Sequence, residues 1–210
     1  MTDALLPMVV ATGNPHKLRE LRQLLADLPV RLIGPAELPP AQQFEGAEET
    51  GTTFEENADL KAIHAARTSG LHAIADDSGL QVDALDGRPG VHSARYAGEN
   101  ADDLSNNDKL IAEARAHGLE RPVARFRCVV AVAAPDGSIL ARGHGACEGV
   151  LVEQAQGDGG FGYDPHFYVE SLGATFAQIT AAQKHSVSHR ARALTDLRSE
   201  LDALLKEEAR

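Results

Sequence analysis

Residues 7–25 read PMVVATGNPHKLRELRQLL. The first part, Pro7 to Thr12, is a short apolar run of the kind that makes a buried strand, and Gly13-Asn14-Pro15 ends it in a turn. From there the period changes. Leu18, Leu21, Leu25 and Leu28 recur at helical spacing with Arg19, Glu20, Arg22 and Gln23 between them. Pro15 suits the first helical turn, where its missing N–H is no loss. The chain therefore opens as strand, tight loop and helix. A helix N-terminus facing such a loop favours anions, because unpaired N–H groups and the positive end of the dipole point the same way. Thr12 and Asn14 add hydrogen-bonding side chains and Lys17 adds a full charge. The alternative is an ordinary strand-to-helix turn with a surface lysine. It is not a P-loop, since G-x-x-x-x-G-K-[ST] is absent.

Working outward, Val30 to Ile33 reads as a second strand, and residues 34–52, rich in Pro, Gly, Glu and Gln, as a long loop. Thr53 with Glu56 three positions on forms a capping-box pattern that opens a helix, which runs to about Ser69 and stops at Gly70. His72 to Ala75 is a third strand, expected to end at Asp76-Asp77-Ser78-Gly79. Residues 83–100 are loop-like, and a polar amphipathic helix covers about 101–117. Ala124 to Ala134 and Ser138 to Val152 read as two long strands around Pro135-Asp136-Gly137, a hairpin signal. A Gly-rich loop fills 153–165. The last helix starts near Ser188, with Leu194, Leu197, Leu201 and Leu204 facing inward. Early alternation of strands and helices followed by a hairpin means an α/β fold with a mixed sheet. No internal repeat interrupts it, so the 210 residues are read as a single domain.

Composition narrows the partners. Hydrophobic residues make up 43%, enough for a core that, without Trp, is mostly aliphatic and alanine. A net charge of −11 excludes long nucleic acids, which require a basic footprint. A small polyphosphate needs only a local set of Lys, Arg, backbone N–H groups and a metal ion. Cys128 and Cys147 lie in apolar, strand-like stretches and are read as reduced, buried thiols. The first residues lack the basic and apolar regions of a signal peptide. No window approaches the roughly 20 apolar residues of a membrane span. The expectation is a cytoplasmic protein with no membrane contact.

Three further clusters bear on chemistry. Glu48-Glu49 and Asp76-Asp77 are paired carboxylates, a common way to hold Mg²⁺, and one of them can activate water. For Glu48-Glu49 a solvated loop is the alternative; for Asp76-Asp77, following Ala73-Ile74-Ala75, unpaired charge near buried structure would be costly. Gly157 to Gly162 contains G-x-G-x-x-G, but Tyr163-Asp164-Pro165 follows where a dinucleotide-binding helix would have to open, so that reading fails. What remains is a loop placing Phe161 against a base with Asp164 at a polar edge, or else simple core packing. Lys184 to Arg190 is a basic stretch at the expected start of the last helix, either an anion site or a polar helix entry. His64, His72, His92, His117 and His144 have no metal-ligand spacing.

Taken together these residues resemble the inosine triphosphate pyrophosphatase family nearly end to end. The motifs are Ala11-Thr12-Gly13-Asn14 with Lys17, Glu48-Glu49-Thr50-Gly51 with Glu56-Asn57-Ala58, Ala75 to Leu80, Pro89-Gly90 with Ser93 to Tyr96, Gly159 to Pro165, and Ser188-His189-Arg190. The resemblance implies an elongated mixed β-sheet flanked by helices, two lobes with a nucleotide cleft between them, and a homodimer. It implies Mg²⁺-dependent hydrolysis of non-standard purine nucleoside triphosphates (dITP, ITP, XTP) to monophosphate and pyrophosphate, keeping these bases out of DNA and RNA. Asp77 would be base and metal ligand, with Glu48, Glu49 and Asp76 assisting the metal. Thr12, Gly13, Asn14, Pro15, His16 and Lys17 would cradle the triphosphate, and Lys61 and Ser78 would line the site. Phe161, Gly162, Tyr163, Asp164, Lys184, His189 and Arg190 would hold the base and nearby phosphate. His16 stands where many bacterial members have Gly, and nothing is carried over onto residues 98–124. Two other classes stay open: a Mg²⁺-dependent hydrolase that removes only the terminal phosphate, and a nucleotide-binding module without turnover.

Overall fold

The computed structural model describes residues 5–118 and 120–208. Strand β1 (Leu6–Val10) is followed by helix α1 (Pro15–Leu24), strand β2 (Val30–Ile33) and helix α2 (Phe54–Ser69). Strand β3 (His72–Val82) and helix α3 (Asp103–Ala116) come next, then the hairpin of β4 (Val123–Ala133) and β5 (Ile139–Leu151). Short strands β6 (Phe167–Val169) and β7 (Ala174–Thr175) lead to helices α4 (Ala181–Val187) and α5 (His189–Glu208). The strands form one seven-stranded sheet in the order β2-β1-β3-β4-β5-β6-β7. It is mixed: β1 runs parallel to β2 and β3, while β6 is antiparallel to β5 and β7.

Local chemistry explains the boundaries. Thr53 Oγ1 accepts the Glu56 N–H (3.1 Å) while Glu56 Oε2 accepts those of Thr52 (2.6 Å) and Thr53 (3.2 Å), so α2 opens on the expected capping box. It closes at Gly70, whose φ of 69° is the left-handed conformation glycine adopts without strain. The hairpin turns at Pro135-Asp136-Gly137, as read. Two element boundaries need correction. β3 does not stop at Ala75 but continues through Asp76 and Asp77 to Val82, because β4 pairs along its other edge after β1 has ended at Val10. The basic stretch does not open one helix: it closes α4 and opens α5, with Ser188 extended between them. β6 and β7 lie between the Gly-rich loop and the last helix, where no element was read; three and two residues carry too little periodicity to show.

Contacts divide the chain into two compact units: residues 1–77, 128–145 and 190–210, and residues 78–127 and 146–189. In the first, Leu21, Leu25 and Leu28 meet Leu194, Leu197, Leu201 and Leu205 over Met8, Val10, Ile74, Cys128, Val130 and Val132. Leu205 takes the buried position expected of Leu204, which is only half-buried. Gly143 is required beside α5, since a Cβ there would lie 2.1 Å from the Ala193 carbonyl oxygen. The second unit has its own core, built on Leu80, Val82, Leu85, Leu110, Phe126, Leu151, Phe167 and Phe176. Cys128 is buried in the first unit and Cys147 in the second, and both are free thiols. Burial pushes the Cys128 thiol up to about 12. Among the described residues no helix is long and apolar enough to cross a membrane.

Candidate active site

Where β1 stops, Ala11 N–H still donates to the Ile74 carbonyl, and β3 runs on beyond it. Asp76 and Asp77 sit on this extension. Successive strand residues face opposite sides of a sheet, so the doublet splits between two environments. Asp76, its side chain fully buried, accepts from Arg190 Nη2 at 2.7 Å and pairs with Lys17 Nζ at 3.1 Å. Arg190, itself 1% exposed, also binds Glu20 through Nη1. Asp77 Oδ1 accepts from Lys61 Nζ at 2.6 Å, Asn57 Nδ2 lies 3.5 Å from its Oδ2, and Lys61 reaches Glu49 Oε1 at 3.0 Å.

The two carboxyls titrate in opposite directions. Burial alone would raise Asp76, but Arg190, Lys17 and Lys61 outweigh it and hold the group well below the usual carboxylate range. At Asp77 burial wins over the pull of Lys61 and Lys17, and the group is raised. Burial opposes charge on Lys61, yet Asp77, Asp76 and Glu49 keep it firmly protonated. One carboxylate is thus a fixed anion and its neighbour a stronger base, a division of labour that suits acid–base chemistry.

Lys17 reaches Asp76 from the first turn of α1. Asn14 is the N-cap: its Oδ1 accepts from His16 N (2.8 Å) and Lys17 N (3.3 Å), while its own N–H donates to Thr12 Oγ1 (3.1 Å). The N–H groups of Asn14, His16 and Lys17, expected from the sequence to be unpaired, are satisfied within the turn, while Lys17 and the dipole still attract an anion. Gly13, Pro15 and His16 form the exposed rim of the turn. Glu49 joins the Lys61 cluster, whereas Glu48 is exposed and takes no part in it. Ser78 follows Asp77, half-buried. Among the described residues no three His, Cys, Asp or Glu side chains are gathered as a ready metal cage. Glu49 and Asp77 nonetheless converge on one cation, the Lys61 ammonium, and their all-oxygen character suits a hard divalent ion that keeps some of its water.

The second unit holds another cluster. Lys184 Nζ donates to Asp164 Oδ2 at 2.6 Å, both side chains buried, and lies 4.7 Å from the Phe161 ring centroid. Asp164 Oδ2 also accepts the Phe161 N–H at 3.0 Å. Gly160 must be glycine: its φ is 73°, and a Cβ would lie 2.1 Å from Asp164 Oδ2. Buried Tyr163 donates its hydroxyl to the Ser93 carbonyl (2.8 Å), and the His189 ring stacks on Phe126 with centroids 4.7 Å apart. Phe161, Gly162, Tyr163, Asp164 and Lys184 are therefore brought together. His189 packs on Phe126, and Arg190 belongs with Asp76 in the first unit.

Three residues at these clusters escaped the sequence reading, Glu20, Asp103 and Asn107, and a fourth, Asn57, was quoted in a motif without a role. Glu20 stands three positions from Lys17 and Asn57 four from Lys61, so helical spacing from a named cation was a usable signal. Asp103 and Asn107 contact Gly162 across more than fifty positions, a pairing with no local trace.

Fold and site together define an α/β protein with a buried acid–base cluster on a strand extension beside a cation-bearing helix N-terminus. Over residues 8–200 the chain matches the Ham1 family, to which it belongs, as the motif resemblance implied. It is 52% identical over 199 residues to the dITP/XTP pyrophosphatase of Yersinia pseudotuberculosis, covering 94% of this chain and 97% of that one. With the dITP/XTP pyrophosphatase of Geobacter sulfurreducens it shares 49% identity over 194 residues, 92% and 96% of the two chains. A HAM1 protein from Coxiella burnetii superposes with a TM-score of 0.82 at 41% identity, covering 96% of this chain and 99% of that one.

Proposed function

We propose that this chain hydrolyses non-standard purine nucleoside triphosphates, dITP, ITP and XTP, to the monophosphate and pyrophosphate. The observation that carries the reading is the Asp77-Lys61-Glu49 cluster on the β3 extension, with Lys17 beside it on α1. Asp77 Oδ2, the oxygen not held by Lys61, takes the proton from the attacking water; its raised basicity matches that task. Lys17 and the N-terminal dipole of α1 stabilise negative charge on the leaving pyrophosphate. Arg190 and Glu20 act through Asp76, keeping it ionised and Lys17 in place. Asp77 and Glu49 would hold Mg²⁺. When bound, that ion draws charge from the phosphate oxygens. In the second unit Phe161 offers a stacking face for the base, and Lys184 a cation for a 6-keto oxygen. A donor at that position leaves adenine's amino group facing another donor, which is costly when buried.

The test is turnover of ITP, dITP, XTP, ATP and GTP with and without Mg²⁺, both products resolved. Mg²⁺-dependent pyrophosphate release from the first three, with ATP and GTP nearly untouched, is the expected result. Release of single phosphate, or equal use of ATP, would overturn the assignment. Light scattering checks the homodimer carried over from the resemblance.

A further inference from the structure

α3 belongs to the segment onto which no motif extends, yet two of its side chains close on one residue of the Gly-rich loop, gripping the peptides on either side of its Cα. The Gly162 N–H donates to Asp103 Oδ2 at 2.6 Å, and the Gly162 carbonyl accepts from Asn107 Nδ2 at 2.9 Å. Asp103 and Asn107 are one helical turn apart and so share a face. The orientation of the Asn107 amide is fixed by its surroundings: Nδ2 faces two carbonyl oxygens, those of Gly162 and of Asp103 (2.8 Å), and a flipped amide would set three acceptors together. Asn107 is 6% exposed, and its Oδ1 is buried with no hydrogen-bond partner among the described residues. As a packing residue this is a poor choice, since an apolar side chain would avoid the unsatisfied acceptor. Its grip on Gly162 explains why an amide is there.

The gripped glycine matters because of what precedes it. Gly160 (φ 73°) and Gly162 (φ 61°) flank Phe161, so the ring sits between two residues with wide backbone freedom. On its N-terminal side Phe161 is pinned by Asp164, which accepts its N–H at 3.0 Å. On its C-terminal side the restraint comes from α3. The helix is braced in turn by Asn106, whose Oδ1 accepts from Ala97 N (2.8 Å) and whose Nδ2 donates to the Ala94 carbonyl (3.1 Å).

We propose that Asp103 and Asn107 are positioning residues for purine selection: they clamp the backbone of Gly162 on both sides of its Cα and thereby hold the Phe161 ring at the angle from which it meets the base. This rests on the reading of Phe161 as the base-facing residue. It adds a specificity element in a helix that carries none of the residues assigned to phosphate binding or water activation.

The test is steady-state kinetics on ITP, XTP, ATP and GTP for Asn107→Ala, Asp103→Ala, Asp103→Asn and Phe161→Ala. The two clamp deletions should raise KM for ITP about ten-fold with kcat within about three-fold, and lower the ITP-over-ATP ratio of kcat/KM about ten-fold. Asp103→Asn, which keeps an acceptor for the Gly162 N–H, should recover most of the loss. Should Asn107→Ala fail to fold, the exposed Asp103 pair carries the test alone. Wild-type KM and base preference in both clamp deletions, with Phe161→Ala defective, would overturn the clamp and leave the base site standing. A loss of the same size for every nucleotide would also overturn it, marking a structural role. Unchanged base preference in Phe161→Ala would instead sink the base-site reading beneath it.

Discussion

Asp76→Asn takes a carboxylate from between Arg190 and Lys17. A guanidinium 1% exposed is then left with reduced counter-charge, which should cost about 3 kcal/mol of stability in urea denaturation. The pH dependence follows with a definite sign. The folded Asp76 holds its proton less tightly than the ordinary value of 3.8, so its contribution is complete above that value and is lost as pH falls below it. Asp77, raised in the fold, contributes in the opposite sense. Asp76→Asn should therefore show a shallower loss of stability between about pH 5 and 3 than the parent chain, read from urea midpoints across that range. Asp77→Asn should behave differently: about a thousand-fold lower kcat with a little-changed urea midpoint. The doublet was visible in the sequence as a pair of acids; that its members face different partners was not, because the strand was read as ending there.

At the level of elements, capping chemistry was the most legible feature. Thr53, Glu56 and Gly70 bound α2 as their types require, so Thr53→Ala should cost about 1 kcal/mol, measured as a lowered melting temperature with unchanged KM. α1 and β2 were equally readable, since leucine spacing and a short apolar run are local signals. What could not be read was set by distant pairing. β3 owes its second half to β4, and the small strands β6 and β7 to the rim of β5. Likewise, Phe161 and Asp164 were named from their motif and Lys184 from the basic stretch, whereas α3 closes on Gly162 through side chains that no spacing rule connects to it.

Across the whole molecule, β3, β4 and β5 each begin in one compact unit and end in the other. The two hydrophobic cores are therefore built on stretches of the same three strands. The pair of free thiols makes this measurable, one cysteine residing in each core. Neither should react with a thiol reagent at pH 8 in the folded chain, given their burial. In dilute denaturant they should label with a single shared rate constant, the signature of concerted opening. Two separate rates, resolved by mass spectrometry of the labelled peptides, would instead reveal independently breathing halves. The cysteines, silent in the chemistry, thus serve as a pair of internal clocks for how this protein comes apart.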